Sequence, residues 1–99
     1  MIIVTGQFEL PADGVDAAKT AAVDMMRETA KEDGCIHYRF YQDVEVPTTF
    51  RVYEEWESEA HLKAHFDTPH MAVFRAALGE IGLISRKVKM IEPGATKEL

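Results

Sequence analysis

The chain has 99 residues, enough for one small domain and too few for a second. Apolar residues make up 46% and charged residues 28%, the balance of a folded soluble domain and not of a disordered segment. With 11 Lys and Arg against 17 Asp and Glu the net charge is −6, and no basic run offsets it, which argues against nucleic acid as a partner.

Ile2 to Leu10 is β-branched and apolar, with Ile2, Val4 and Phe8 on one face and Ile3 on the other, and Pro11 ends it. Asp13 is the expected N-cap of a first helix. Behind it Val15, Ala18, Ala22, Met25 and Thr29 recur at helical spacing, Asp16, Lys19, Asp24, Arg27, Glu28 and Lys31 fill the opposite face, and Gly34 is the expected stop. Cys35 to Val44 predicts a strand that turns Ile36, Tyr38 and Phe40 one way and Cys35, His37, Arg39 and Tyr41 the other. After a turn at Glu45–Thr48, Phe50 to Trp56 alternates Phe50, Val52, Glu54 and Trp56 against Arg51, Tyr53 and Glu55, and the short connection makes the pair a hairpin.

Ser58 caps a second helix carrying Ala60, Leu62, His65 and Phe66. Thr68-Pro69 offers a new cap and a first-turn proline, so this region predicts one broken helix or two stacked segments, continuing through Met71, Phe74, Leu78 and Ile81. Ile84 to Ile91 is the last strand. The domain spans 1–92, and 93–99 form a C-terminal tail.

The order β-α-β-β-α-β is the ferredoxin-like α+β arrangement, a four-stranded antiparallel sheet with helices on one face. Apolar or aromatic groups on both faces of the strands lead to the expectation of a homodimer with the two sheets packed face to face.

The single cysteine, Cys35, forms no internal disulfide, and no CxxC is present. The N-terminus lacks the features of a secretory signal, and no apolar run approaches the roughly 20 residues of a membrane span. A cytoplasmic protein without a membrane partner is expected. None of the six glycines falls in a nucleotide-binding loop, and no GxSxG, HExxH or EF-hand pattern occurs.

Candidate chemistry rests on few residues. His61 and His65 stand four apart on a helix with His70 beyond Asp67, which lacks a third metal ligand at an established spacing; no metal site is assigned. His65 alone adjoins the apolar stripe of Leu62 and Phe66, so it is the histidine expected in the gap between helix and sheet. Glu54 is a charge in mid-strand between Val52 and Trp56, where it must find a cationic partner or serve a site. Tyr38, Phe50, Trp56, Phe66 and Phe74 are core residues or, together, the walls of an apolar cleft for a flat aromatic ligand. No charged clamp for such a ligand is evident.

Gly34-Cys35-xx-Tyr38, Pro47-xx-Phe50-xxx-Glu54-x-Trp56, Leu62-xx-His65 and Thr68-Pro69-His70 together resemble the antibiotic biosynthesis monooxygenase family, over roughly Ile2 to Ile91. The resemblance implies a dimeric α+β barrel and an oxygenase that uses no metal, flavin or haem, taking dioxygen and a quinol or polycyclic phenol as substrates. By matching positions it places His65 as base or substrate-orienting group, Glu54 as a carboxylate orienting a donor or the substrate hydroxyl, and Tyr38, Phe50, Trp56, Phe66 and Phe74 around the substrate. A haem-degrading branch of the same family differs at the positions of Gly6, His65 and Arg75, which disfavours haem. The alternatives are an isomerase of a small hydroxy-keto compound or lactone, and a ligand-binding dimer without catalysis.

Overall fold

In the computed structural model, which describes residues 1–99, the N-terminal alternation forms strand β1, Ile2–Glu9, with Ile2, Val4 and Phe8 buried. Pro11 ends it, but Asp13 caps nothing. The carbonyl of Pro11 accepts from the Gly14 N–H at 2.9 Å, closing a single 3-10 turn over Ala12–Gly14 that holds Asp13 inside it. Helix α1, Val15–Thr29, therefore starts from Gly14 without a side-chain cap and buries Ala18, Ala22, Met25 and Thr29 as its spacing dictates. It stops well before Gly34. That glycine instead turns the chain into the next strand at φ +79°, and a Cβ there would collide with the His61 ring.

Strand β2, Cys35–Gln42, departs from strict alternation at its start. A bulge between Cys35 and His37 sets Cys35 opposite Trp56 while His37 faces Glu55 and Tyr38 faces Glu54. Cys35 thus joins Tyr38 and Phe40 on the core side, and Ile36, expected with them, is the extra residue, 50% exposed. The strand ends before Asp43, whose carboxylate accepts the N–H groups of Glu45 and Val46 at 2.8 Å each and so starts the turn early. Strand β3, Thr49–Trp56, buries Phe50, Val52, Glu54 and Trp56, the expected face.

Two helices follow. α2, Glu59–Phe66, is capped by Ser58, which accepts from the His61 N–H; α3, Pro69–Ile81, is capped by Thr68 with Pro69 in its first turn. Strand β4, Ser85–Ile91, pairs with β1 alone, and residues 92–99 form neither helix nor strand.

The sheet order is β2-β3-β1-β4, all antiparallel, with the second helix of the ferredoxin-like unit split in two. α1 packs on β2 and α3, and α2 on β3, which leaves the core-facing side of β4 thinly covered. Trp56 and Met25 lie at the centre of the core, and truncating a buried side chain of that size costs about 3–5 kcal/mol. On the opposite sheet face Arg51 donates to Thr5 and Gln7, and Tyr53 donates to Glu55, so that surface is more polar than alternation suggested. No helix is long and apolar enough to cross a membrane.

Candidate active site

A cavity of about 520 Å³ lies between the helix layer and the sheet and opens where β4 is uncovered. This size falls within the range of small-molecule sites, about 300–1,000 Å³. Tyr38, Phe40 and Glu54 come from β2 and β3, Phe66 and Phe74 from α2 and α3, and Arg86 from β4.

Glu54 is the buried carboxyl of this wall. Strand alternation aims it at the core, and it meets one donor: the Trp56 indole N–H, 2.9 Å from Oε1. Burial raises its pKa to about 7. The Trp56 hydrogen bond and the Arg86 charge oppose that rise, and Glu32 adds to it. Of the two readings open for Glu54, the contact ion pair does not form: the strand-four base Arg86 acts on it only through space, and neither Arg39 nor Arg51 pairs with it. Tyr38 stands opposite Glu54 on β2, and burial, followed by the charges of Glu54 and Glu32, pushes its phenol well above the usual range. Its hydroxyl stays protonated and makes no hydrogen bond within the protein, so it remains free to donate to a ligand.

His65 is fully buried but does not line the cavity. Its ring lies against Trp56 and Tyr38, with centroids 4.9 and 5.4 Å away. Nδ1 donates to Glu32 Oε2 at 2.6 Å, which fixes the tautomer and leaves the Nε2 lone pair buried without a donor. Burial lowers the pKa of this imidazole, and the bond to Glu32 opposes the shift. His70 Nε2 meets the same carboxylate oxygen at 2.7 Å.

These three side chains bring their donor atoms within 4.8 Å of one another, a possible set of metal ligands. The spacing fits hydrogen bonds better, since two donors on a tetrahedral zinc stand about 3.3 Å apart. His61 does not join them. Its Nδ1 lies 2.7 Å from Ser58 Oγ and its Nε2 3.6 Å from Asp33, so the helical pair suggested by spacing is pulled apart.

Of the seven residues singled out in the sequence, Tyr38, Glu54, Phe66 and Phe74 meet at the cavity. Trp56, His65 and Phe50 do not line it. Trp56 lies behind Glu54 as its hydrogen-bond donor, His65 packs behind Trp56, and Phe50 belongs to the core next to Phe8 in register. The sequence reading gave Glu32, Arg75 and Arg86 no place in this site, and weighed Arg75 only against the haem-degrading branch. Glu32 sits in an irregular loop with no periodicity to mark it, whereas an arginine on the core face of β4 was a usable signal. The arginines also correct the expectation that no charged clamp is present, because both line the cavity. At Gly6, a Cβ would fall 2.5 Å from Val88 Cα, so the strands leave no room for a side chain where the haem-degrading branch differs.

Residues 1–77 match the family model for antibiotic biosynthesis monooxygenase. Over 73 residues the chain is 33% identical to the probable quinol monooxygenase YgiN of Escherichia coli K12, covering 65% of this chain and 68% of that protein. It is 30% identical over 73 residues to the uncharacterized protein sll1783 of Synechocystis, covering 74% of this chain but only 50% of that protein, so it spans about half of that relative's length. All of the chain superposes on 98% of a Deinococcus radiodurans chain assigned to antibiotic biosynthesis monooxygenases, with a TM-score of 0.94 at 23% identity, a likeness of fold. Rv0793 of Mycobacterium tuberculosis gives a TM-score of 0.88 at 26% identity, with 98% of both chains covered. With the family model matched over most of its length and the fold shared from end to end, the chain belongs to the antibiotic biosynthesis monooxygenase family.

Proposed function

We propose that the protein is a cofactor-independent monooxygenase that oxidises a quinol or polycyclic phenol with dioxygen, acting as a cytoplasmic homodimer built from the domain at 1–92. The observation that carries this reading is Glu54: a buried carboxyl with a pKa near 7, at the wall of a mostly apolar cavity. A general base works best when its pKa lies near the working pH. The name of YgiN, a probable quinol monooxygenase, supports the same substrate class.

Dioxygen is a triplet and reacts slowly with closed-shell molecules, so the first task is to make the substrate electron-rich. Glu54 takes the proton of a substrate hydroxyl on Oε2, while Trp56 holds Oε1. The phenolate passes one electron to dioxygen, and the resulting radical and superoxide combine to form a C–O bond. The hydroperoxide then loses water. One oxygen atom stays in the product as a carbonyl, the other leaves in water with two hydrogens from the substrate, and the substrate supplies all four electrons that reduce dioxygen. Tyr38 donates to oxygen atoms that become negative, and Arg86 stabilises the same charge. The aromatic walls exclude water from the phenolate.

His65 is a positioning residue in this reading. Its ring backs Trp56, which holds Glu54, and Glu32 fixes its orientation. The test is an oxygen electrode with chelator-treated protein, reduced naphthoquinols and anthrone-type phenols, with autoxidation as the background. Uptake that survives chelation and drops at least a hundredfold in Glu54→Gln supports the proposal. A trace at the autoxidation rate across the panel overturns it. Turnover of a hydroxy-keto compound without oxygen would identify an isomerase instead.

A further inference from the structure

The cavity carries a feature that its mostly apolar lining does not explain. Arg75 on α3 and Arg86 on β4 both line it, approaching from the helix layer and from the edge strand. The register of β4 with β1 puts Arg86, Val88 and Met90 on the face of Phe8, Gly6 and Val4; Lys89 also borders the cavity, but its register opposite Thr5 puts it on the other face of the strand. Neither arginine pairs with a carboxylate, in a chain with six more acids than bases. One N–H group of Arg75 donates to the Phe66 carbonyl at 3.2 Å, which fixes its guanidinium at the break between α2 and α3 and leaves its remaining donors free. The Arg86 guanidinium lies 5.8 Å from the Phe8 ring centroid, a contact that holds the group in place without neutralising it.

The polar groups of the cavity thus divide by sign. Glu54 and Tyr38 face each other across β2 and β3 and are suited to a hydroxyl, whereas the two arginines are suited to an anion. Phe40, Phe66 and Phe74 line the same cavity, a surface suited to flat rings.

We propose that the site takes a hydroxylated aromatic of two or three fused rings that carries a carboxylate, with the hydroxyl on Glu54 and the carboxylate on Arg86 and Arg75. This rests on the reading of the cavity as the substrate site and deepens it, because a neutral quinol would leave Arg75 unused and offer Arg86 no anion to pair with before the reaction begins. Since the chain is acidic overall, the arginines also supply the local attraction that an anionic substrate needs to reach the cavity mouth.

Binding can be measured without turnover, by titration calorimetry at pH 7.5. The probes are 6-hydroxy-2-naphthoate and 2-naphthol, which differ only in the carboxylate. The naphthoate is expected to bind at least tenfold more tightly. Arg86→Gln is expected to remove most of that advantage and Arg75→Gln a smaller part, each by weakening the naphthoate more than 2-naphthol. Added salt should weaken the naphthoate alone. Equal affinities, a preference that survives both substitutions, or binding of neither probe overturns the proposal; equal affinities would mean that Arg86 serves only to hold down the pKa of Glu54. A clear preference with no oxygen uptake in the electrode would remove the monooxygenase reading and leave the anion site standing.

Discussion

Two carboxylates, Glu32 partly buried and Glu54 buried, sit a few side chains apart in this molecule and meet opposite fates. Glu32, in the loop after α1, accepts from two imidazoles through one oxygen, at 2.6 and 2.7 Å. Glu54, in mid-strand on β3, has one indole donor at 2.9 Å and no contact ion pair. The first is tied into the framework by its donors. The second is desolvated more than it is compensated, so its proton affinity rises into the physiological range. A buried acid becomes chemically useful when its hydrogen bonding is left incomplete at a cavity wall, and Glu54 meets that condition.

Substitutions at the two acids sharpen the contrast. Glu54→Gln keeps the shape and an acceptor for Trp56 but cannot take a proton, and turnover should fall about 10²–10⁴-fold, the usual share of a general base. Steady-state oxygen uptake above autoxidation checks this.

The same substitution should alter stability in a pH-dependent way. Below the unfolded pKa, 4.5, Glu54 is protonated in both states and costs nothing. Between 4.5 and about 7 only the unfolded chain releases the proton, so wild-type stability falls as pH rises, by about 3 kcal/mol in total. Urea denaturation at pH 4.5 and pH 8 should show that loss in the wild type and not in Glu54→Gln.

Glu32→Ala should have a structural effect. It leaves the buried His65 ring without its partner, at a cost of about 1–3 kcal/mol in stability, while kcat per folded molecule stays within a few fold. Denaturation midpoints and active-site-normalised rates would separate the two. A loss of turnover as large as that of Glu54→Gln would break the comparison and return His65 to the chemistry.

The smallest effect belongs to Trp56→Phe. Removing the indole N–H takes away a contact that lowers the pKa of Glu54, so the acidic limb of the rate profile should move up by about half to one pH unit.

Much of this was legible in the sequence, for identifiable reasons. Period-two alternation on β3 placed Glu54 among Phe50, Val52 and Trp56, and a charge on an apolar face is conspicuous. Thr68-Pro69 marked the α2–α3 break through capping chemistry that is local to four residues. The bulge at Cys35–His37 was not legible, because one inserted residue reverses the faces upstream of it without any local signature. Spacing put His65 near the apolar stripe, but only the docking of α2 on β3 decides that its ring meets Trp56 and not the cavity. Glu32 lies 33 residues from His65 in the chain, and Arg86 reads in sequence as an interruption of a strand.

The central claim is that the base in the cavity is Glu54. The pH dependence of kcat/KM for oxygen uptake, in wild type and Trp56→Phe side by side, tests it most directly. With Glu54 as base the rate rises with pH through about 7 in the wild type, and the limb is displaced upward in the variant. A flat profile, or a limb that stays in place when the indole N–H is removed, would contradict it.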